Sequence, residues 1–284
     1  MTARVTANGL DFAYLEQGSG PLVLFVHGFP DTAHTWDGAM RAAAAAGFRA
    51  VAPFTRGYHP TAIPSDGAYD TDTLGRDVVA LIEALGEDRA IVVGHDWGAN
   101  AAYAAAATAP ERVRLLVTVA IPHPGSIKPT PGMLWNLRHF ATLRRAKAPE
   151  RVRANDFALL DELWRRWSPA WKDIPPAETA AVKQAFQAPG SLEAALGYYK
   201  AIRVKLPASL RQKITVPTVA FAGEHDMITP RAYEKARHWF TASYEVCQVP
   251  GGHFMHREHP EAFNTELVRV LHDKGGARLE NTGK

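Results

Sequence analysis

The sequence predicts an α/β domain, a mostly parallel central sheet flanked by helices, interrupted by an inserted helical lid. Three observations predict it. Short β-rich runs alternate with longer helical patterns up to about residue 124, the alternation stops between Pro124 and Thr215, and it resumes from Thr218.

The strands expected in order are Leu22 to Val26, Arg49 to Ala52, Ile91 to Val93, Leu115 to Ala120, Thr218 to Phe221 and Tyr244 to Val249. Several are apolar on both alternating faces, as strands buried inside a parallel sheet must be. Helical patterns fall between them at Trp36 to Ala46, Thr71 to Leu85, Ala99 to Ala109, Arg231 to Phe240 and Glu261 to Leu271. In the insertion, prolines 129, 131, 149, 169, 175, 176, 189 and 207 mark breaks between helical segments. Phe157, Leu160, Trp164, Trp167 and Trp171 recur there at spacings of three and four, which puts them on one helical face. That face packs the lid onto the core, lines an apolar chamber, or does both. The expected division is 1–124 with 216–275 as core, 125–215 as lid and 276–284 as a frayed tail.

Composition narrows the function classes. The formal net charge is +3, from 32 basic and 29 acidic side chains spread along the chain. Nucleic-acid binding needs a basic face and a recognisable module, and neither is visible. The densest basic stretch, Arg138 to Arg153, is broken by apolar and acidic residues and reads as a solvated lid surface. A single cysteine, Cys247, permits no intrachain disulfide and sits in an apolar run as a buried, inert thiol. No apolar run has the length of a signal peptide core or of a membrane span, so a cytoplasmic protein, monomer or homodimer, is expected.

The segment carrying the chemistry is Ile91-Val92-Val93-Gly94-His95-Asp96-Trp97-Gly98-Ala99, an apolar strand running through Gly-x-Asp-x-Gly into an alanine-rich helix. Glycines two before and two after a residue permit the cramped turn of a nucleophile elbow, which lifts that side chain above the sheet. An aspartate there could also serve as a plain helix N-cap. Its partners argue for the elbow, because they follow in the order nucleophile, acid, histidine. Gly223-Glu224-His225-Asp226 follows one strand and Gly251-Gly252-His253-Phe254 the next, so both groups stand beyond carboxyl ends of strands. His253 is the candidate general base and Asp226 its orienter. Taken singly, the histidine could be a surface residue and Asp226 a turn or cap. After the first long strand comes Phe25-Val26-His27-Gly28-Phe29-Pro30, whose position supplies one backbone N–H of an oxyanion hole while the residue after the nucleophile supplies the other. Phe29 and Trp97 are the expected donors. His27 is read as a loop-holding residue.

With these motifs in place the chain resembles the epoxide hydrolases of the α/β-hydrolase superfamily, relatives of the haloalkane dehalogenases. The resemblance rests on His-Gly-Phe-Pro at 27–30, Gly-His-Asp-Trp-Gly at 94–98, Pro-His-Pro at 122–124 and Gly-His-Phe at 252–254 followed by Glu258 and Pro260. It implies the α/β-hydrolase fold and attack of a carboxylate, Asp96, on an epoxide carbon. The covalent ester is then hydrolysed by water that His253 activates with Asp226 behind it. It implies no cofactor, and a small apolar substrate with water as the second reactant. It also carries a lid tyrosine that holds the epoxide oxygen onto Tyr199, with Tyr198 next to it, and makes Trp135, Trp164 and His123 substrate-binding candidates. Tyr199 has a structural alternative as a core tyrosine.

The nucleophile's identity has a chemical reason. An alkyl ester of Asp96 keeps its carbonyl in the protein, so water can attack that carbonyl over two backbone donors, whereas a serine would leave an unactivated ether. The pattern departs from the family at one point: no tyrosine lies between Pro124 and Pro189, so the first lid tyrosine has no counterpart, and the segment Trp135 to Pro149 offers His139, Thr142 and arginines instead. A haloalkane dehalogenase would use the same triad with indole N–H groups, Trp97 with Trp135 or Trp164, around a halide; Phe29 stands where many dehalogenases carry asparagine. A hydrolase-fold binding protein without turnover is the reading from another class, although such proteins commonly lose a triad member. A metal site of His253, His256 and His259 lacks a His-Glu-x-x-His pattern, and surface placement accounts for the last two.

Overall fold

A computed structural model describes residues 2–127, 135 and 137–275, so the expected tail 276–284 lies outside the described residues. Eight strands form one sheet in the order β1-β2-β4-β3-β5-β6-β7-β8. They are β1 (Ala3–Ala7), β2 (Leu10–Gln17), β3 (Leu22–Val26), β4 (Arg49–Pro53), β5 (Ala90–His95), β6 (Val113–Val119), β7 (Thr218–Gly223) and β8 (Tyr244–Val249). From β4 through β8 every pairing is parallel, while β1 and β2 join antiparallel at the edge. The six parallel strands, β3 to β8, are those the apolar runs predict. The edge hairpin was not anticipated, because β1 alternates partly exposed polar residues with apolar ones and so lacks a continuous apolar signal. Its turn was legible in Asn8-Gly9, both at positive φ (46° and 72°), the pairing that a tight two-residue hairpin requires.

The helices of the core are α1 (Asp37–Ala45), α2 (Thr71–Ala84) and α3 (Trp97–Thr108). Helix α3 is nearly all alanine on its buried side, and this lets α2 approach closely: a Cβ on Gly75 would come within 2.6 Å of Ala104 Cβ. Between β6 and β7 the chain forms α4 (Arg138–Leu143), α5 (Ala148–Trp167), α6 (Ala177–Gln187) and α7 (Ser191–Ala201), with no strand among the described residues. After β7 come α8 (Pro230–Ala236), α9 (Met255–Glu258) and α10 (Pro260–Lys274).

The apolar face expected in the insertion is present with one correction. Phe157, Leu160, Trp164 and Trp167 are buried, and α5 is broken at Ala154–Phe157, where three successive residues take positive φ. The helix ends at Trp167, so Trp171 lies past Pro169 in irregular chain and not on that helical face.

Candidate active site

Because β3, β5, β7 and β8 run parallel, the loops leaving their carboxyl ends gather at one edge of the sheet. Asp96 occupies the sharp turn from β5 into α3 with φ 53° and ψ −118°, a conformation side chains rarely adopt. The flanking glycines make that turn possible. A Cβ on Gly94 would lie 2.4 Å from Gly98 O, and one on Gly98 would lie 2.0 Å from Val26 O. Asp96 accepts no N-cap bond with its side chain, so it is not the capping aspartate that sequence alone allowed.

The carboxylate of Asp96 instead faces two ways. Phe29 N–H donates to Oδ1 at 2.8 Å. Trp97 N, the first amide of α3, shares that corner: a Cβ on Gly28 would sit 2.4 Å from Asp96 Oδ1 and 2.6 Å from Trp97 N. On the other side, His253 Nε2 lies 3.4 Å from Asp96 Oδ2, and His253 Nδ1 lies 3.5 Å from Asp226 Oδ2. These are ion-pair separations, longer and less aligned than good hydrogen bonds. Burial by itself would lower the His253 pKa, yet the charge and bonding of Asp226 and then Asp96 outweigh it and raise the value to about 9. Burial likewise pushes the Asp96 carboxyl upward, and its contacts with His253 and Phe29 N–H bring it below the usual carboxylate range.

The histidine is held from all sides. Its loop is tied by His253 N–H to Trp167 O (2.9 Å), Phe254 N–H to Ser168 Oγ (3.2 Å) and Gly252 N–H to Glu258 Oε2 (2.7 Å). Its own carbonyl accepts from His95 Nε2 at 2.9 Å. His95 is fully buried, and burial followed by the neighbouring His253 drives its pKa down to about 3, which keeps it neutral. The Asp226 loop is packed against the same loop, with Glu224 N–H on Val249 O and His225 N–H on Gly251 O.

Comparison with known proteins identifies the fold family. Residues 21–260 match the model of the alpha/beta hydrolase fold family. The chain belongs to the α/β-hydrolase family. It is 30% identical over 281 residues to the AB hydrolase superfamily protein YfhM of Bacillus subtilis, covering 94% of this chain and 96% of that one. It is 28% identical over 280 residues to Epoxide hydrolase 3 of Mus musculus, covering 95% of this chain and 76% of the mouse protein. The crystal structure of a putative epoxide hydrolase from Klebsiella pneumoniae superposes with a TM-score of 0.82 at 26% identity, over 95% of this chain and 96% of that one. This α/β-hydrolase is therefore an enzyme related to the epoxide hydrolases.

The remaining sequence candidates divide. Tyr199, on α7, is buried with its ring 5.2 Å from both Phe29 and Trp97, over the two residues whose amides border Asp96. Burial and then the charge of Asp96 hold its hydroxyl far above the usual tyrosine range, so it stays protonated. Tyr198 lines the cavity that opens onto Asp96, but its hydroxyl donates to Arg56 O at 2.8 Å and so anchors α7 to the core. Trp164 is buried and stacks 3.7 Å from Phe254, and its indole N–H donates to Pro30 O at 3.1 Å, holding the Phe29 loop. Trp135 is 67% exposed beneath Arg138 and takes no part in the cavity wall. His123 also lies outside that wall: it accepts from Gly125 N–H and stacks on Trp239 at 4.5 Å. His139 stands edge-on to Tyr199 at 6.1 Å and to Trp167 at 4.8 Å, in the stretch that lacks the first lid tyrosine.

Of the other histidines, His27 accepts from Thr55 N–H at 3.0 Å through Nε2, which pins its loop to the one after β4. His256, expected on the surface, is buried, stacked on Trp36 at 4.8 Å and bonded through Nε2 to Thr35 Oγ1 at 2.7 Å. The aromatic shell around it left no periodic trace in the sequence. No group of three or more potential metal ligands gathers among the described residues, and no described helix is long and apolar enough to cross a membrane. Cys247 is buried, and burial raises its thiol to about 11.

The cavity bordering Asp96 has a volume of about 410 Å³ and is walled chiefly by apolar side chains, among them Ile121, Phe140, Ile202, Leu206 and Ile228. Its size and lining suit a small apolar molecule.

Proposed function

We propose that this α/β-hydrolase opens a small apolar epoxide and releases a vicinal diol through a covalent ester on Asp96. One observation carries the reading. The Asp96 carboxylate has Oδ1 fixed by Phe29 N–H at 2.8 Å while Oδ2 is turned to His253 Nε2 at 3.4 Å, which separates the oxygen that becomes the ester carbonyl from the one that attacks. An ionised carboxylate needs no base for the first step.

In that step Oδ2 attacks an epoxide carbon, the C–O bond breaks, and the alkoxide takes a proton from the Tyr199 hydroxyl. Ester formation abolishes the negative charge on Asp96, one of the causes that raise the His253 pKa. The imidazolium then gives up its proton, which restores Tyr199, and stands neutral as the base for the second step. His253, held by Asp226, takes a proton from water as it attacks the ester carbonyl. The negative charge that develops on Oδ1 meets Phe29 N–H and Trp97 N–H; collapse expels the diol oxygen, which takes the proton held on His253, and the carboxyl's remaining proton passes to His253, so carboxylate and imidazolium are restored. The helical segment 125–215 acts as a lid over the core of 1–124 and 216–275.

A halide cradle is less well supported, because Trp164 spends its N–H on Pro30 and Trp135 lies outside the cavity wall. Loss of turnover without loss of binding is disfavoured by the assembled triad.

The test is His253→Gln mixed with a stoichiometric aryl or terminal epoxide, followed by mass analysis of the peptide containing Asp96. The expected result is one substrate mass added to that peptide, diol release by the wild type, and no halide from haloalkanes. Normal turnover in His253→Gln, or a label on another peptide, overturns the mechanism; halide release without diol overturns the substrate class.

A further inference from the structure

The densest basic stretch is a solvated surface, with Arg144, Arg145, Lys147, Arg151 and Arg153 exposed, and two of its arginines, Arg138 and Arg151, also border a cavity with Arg166. Helices α4 and α5 close around a cavity of about 240 Å³ lined by Arg138, Arg151 and Arg166, with Glu162 and His139 beside them. Three guanidinium groups against one carboxylate leave a local charge of +2. Arg166 is the centre of it. Its Nε and Nη2 are buried and find no hydrogen-bond acceptor, and its neighbouring carboxylate, Glu162 Oε1, stands 3.9 Å from Nη1.

A buried donor without an acceptor costs about 1–3 kcal/mol, more when charged, so two on one guanidinium call for an explanation. Nε and Nη2 lie on one edge of the planar fork, the edge that pairs bidentately with two oxygens of an oxyanion. Burial, and then the like charge of Arg138, depress the pKa of Arg166, the signature of a cation set among cations. The cavity has room for a tetrahedral oxyanion, since it holds several times the roughly 30 Å³ share of one water.

We propose that this cavity is a binding site for a small, doubly charged oxyanion of the phosphoryl type, held by the Arg166 fork and flanked by Arg138 and Arg151. The ligand is opposite in sign and equal in size to the local charge, and it supplies the acceptors that Arg166 lacks. The site is separate from the Asp96 cavity, and binding does not depend on turnover.

Inorganic phosphate is the probe. Thermal unfolding of the full chain is followed as phosphate is titrated against sodium chloride of equal ionic strength, with isothermal titration alongside. Phosphate is expected to raise Tm with the logarithm of its concentration above Kd, by about 5 °C at hundredfold excess, and chloride is not; the binding isotherm itself should saturate. Arg166→Gln should abolish the shift. Should that variant fold poorly, Arg151→Gln, at an exposed position, should raise the phosphate Kd about tenfold for the loss of one charge-assisted contact. No phosphate-dependent shift or no saturable isotherm in the wild type, a shift matched by chloride, an equal shift in folded Arg166→Gln, or an unchanged Kd in Arg151→Gln overturns the site.

Discussion

The pKa of His253 couples catalytic geometry to stability and makes the triad measurable without a substrate. The perturbation is pH, compared between wild type and His253→Gln. Because the folded-state value is raised, from 6.5 to about 9, protonation favours the native state. The resulting stability is fully present below about pH 6.5 and is lost as pH rises through about 9. The displacement of about 2.5 units corresponds to about 3 kcal/mol at 1.36 kcal/mol per unit. With His253 only 2% exposed, solvent screening takes little from this figure. The lowered pKa of Asp96 reports part of the same interaction from the other side and is not added. Against a typical total of about 5–15 kcal/mol the loss is large. Urea unfolding from pH 5.5 to 10 gives the difference between the two proteins, in which the other titrating groups cancel. The wild-type advantage should shrink by about 3 kcal/mol across that window, and in Asp226→Asn, which removes the larger of the two carboxylate effects, the transition should move to lower pH. A difference that stays flat between pH 6.5 and 9 would refute the assigned charge state of His253.

Three further outcomes follow from named contacts. Tyr199→Phe keeps the ring against Phe29 and Trp97 but deletes the hydroxyl, so ester formation on epoxides, measured by stopped flow, should slow by about 10²–10³ with Tm nearly unchanged; a wild-type rate makes Tyr199 a packing residue. Gly98→Ala would set a Cβ 2.0 Å from Val26 O, an immovable backbone atom, so the elbow must shift, and calorimetry should show destabilisation beyond about 3 kcal/mol together with lost activity. Asp77→Ala leaves Arg56, otherwise bound bidentately at 2.6 Å through Nε and Nη2, buried without its partner; a loss of about 3–5 kcal/mol in denaturant midpoint analysis is expected, and a loss under 1 kcal/mol would contradict the burial of the pair.

By itself the sequence determined the six parallel strands, the sharp turn at Asp96 and the chain order of the candidate site residues. Each of these is a local property: apolar runs fit buried strands, glycines two residues either side of Asp96 permit its backbone, and parallel strands send their following loops to one edge. The sequence also carried the Asn8-Gly9 turn, although the half-exposed strands beside it gave too weak a pattern to be read. Tertiary structure alone decided which polar groups remain available. Trp164 and Tyr198 looked like substrate contacts, yet their donors are taken by Pro30 O and Arg56 O, carbonyls 134 and 142 residues away in the chain. His256 is buried because Trp36 and Thr35 come to it across the fold, a meeting that no periodicity encodes. Arg166 belongs with Arg138 and Arg151 because α4 and α5 fold back on each other. Hydrogen bonding saturates each donor with whatever acceptor the fold brings near, and that pairing depends on distances in space which spacing along the chain does not contain.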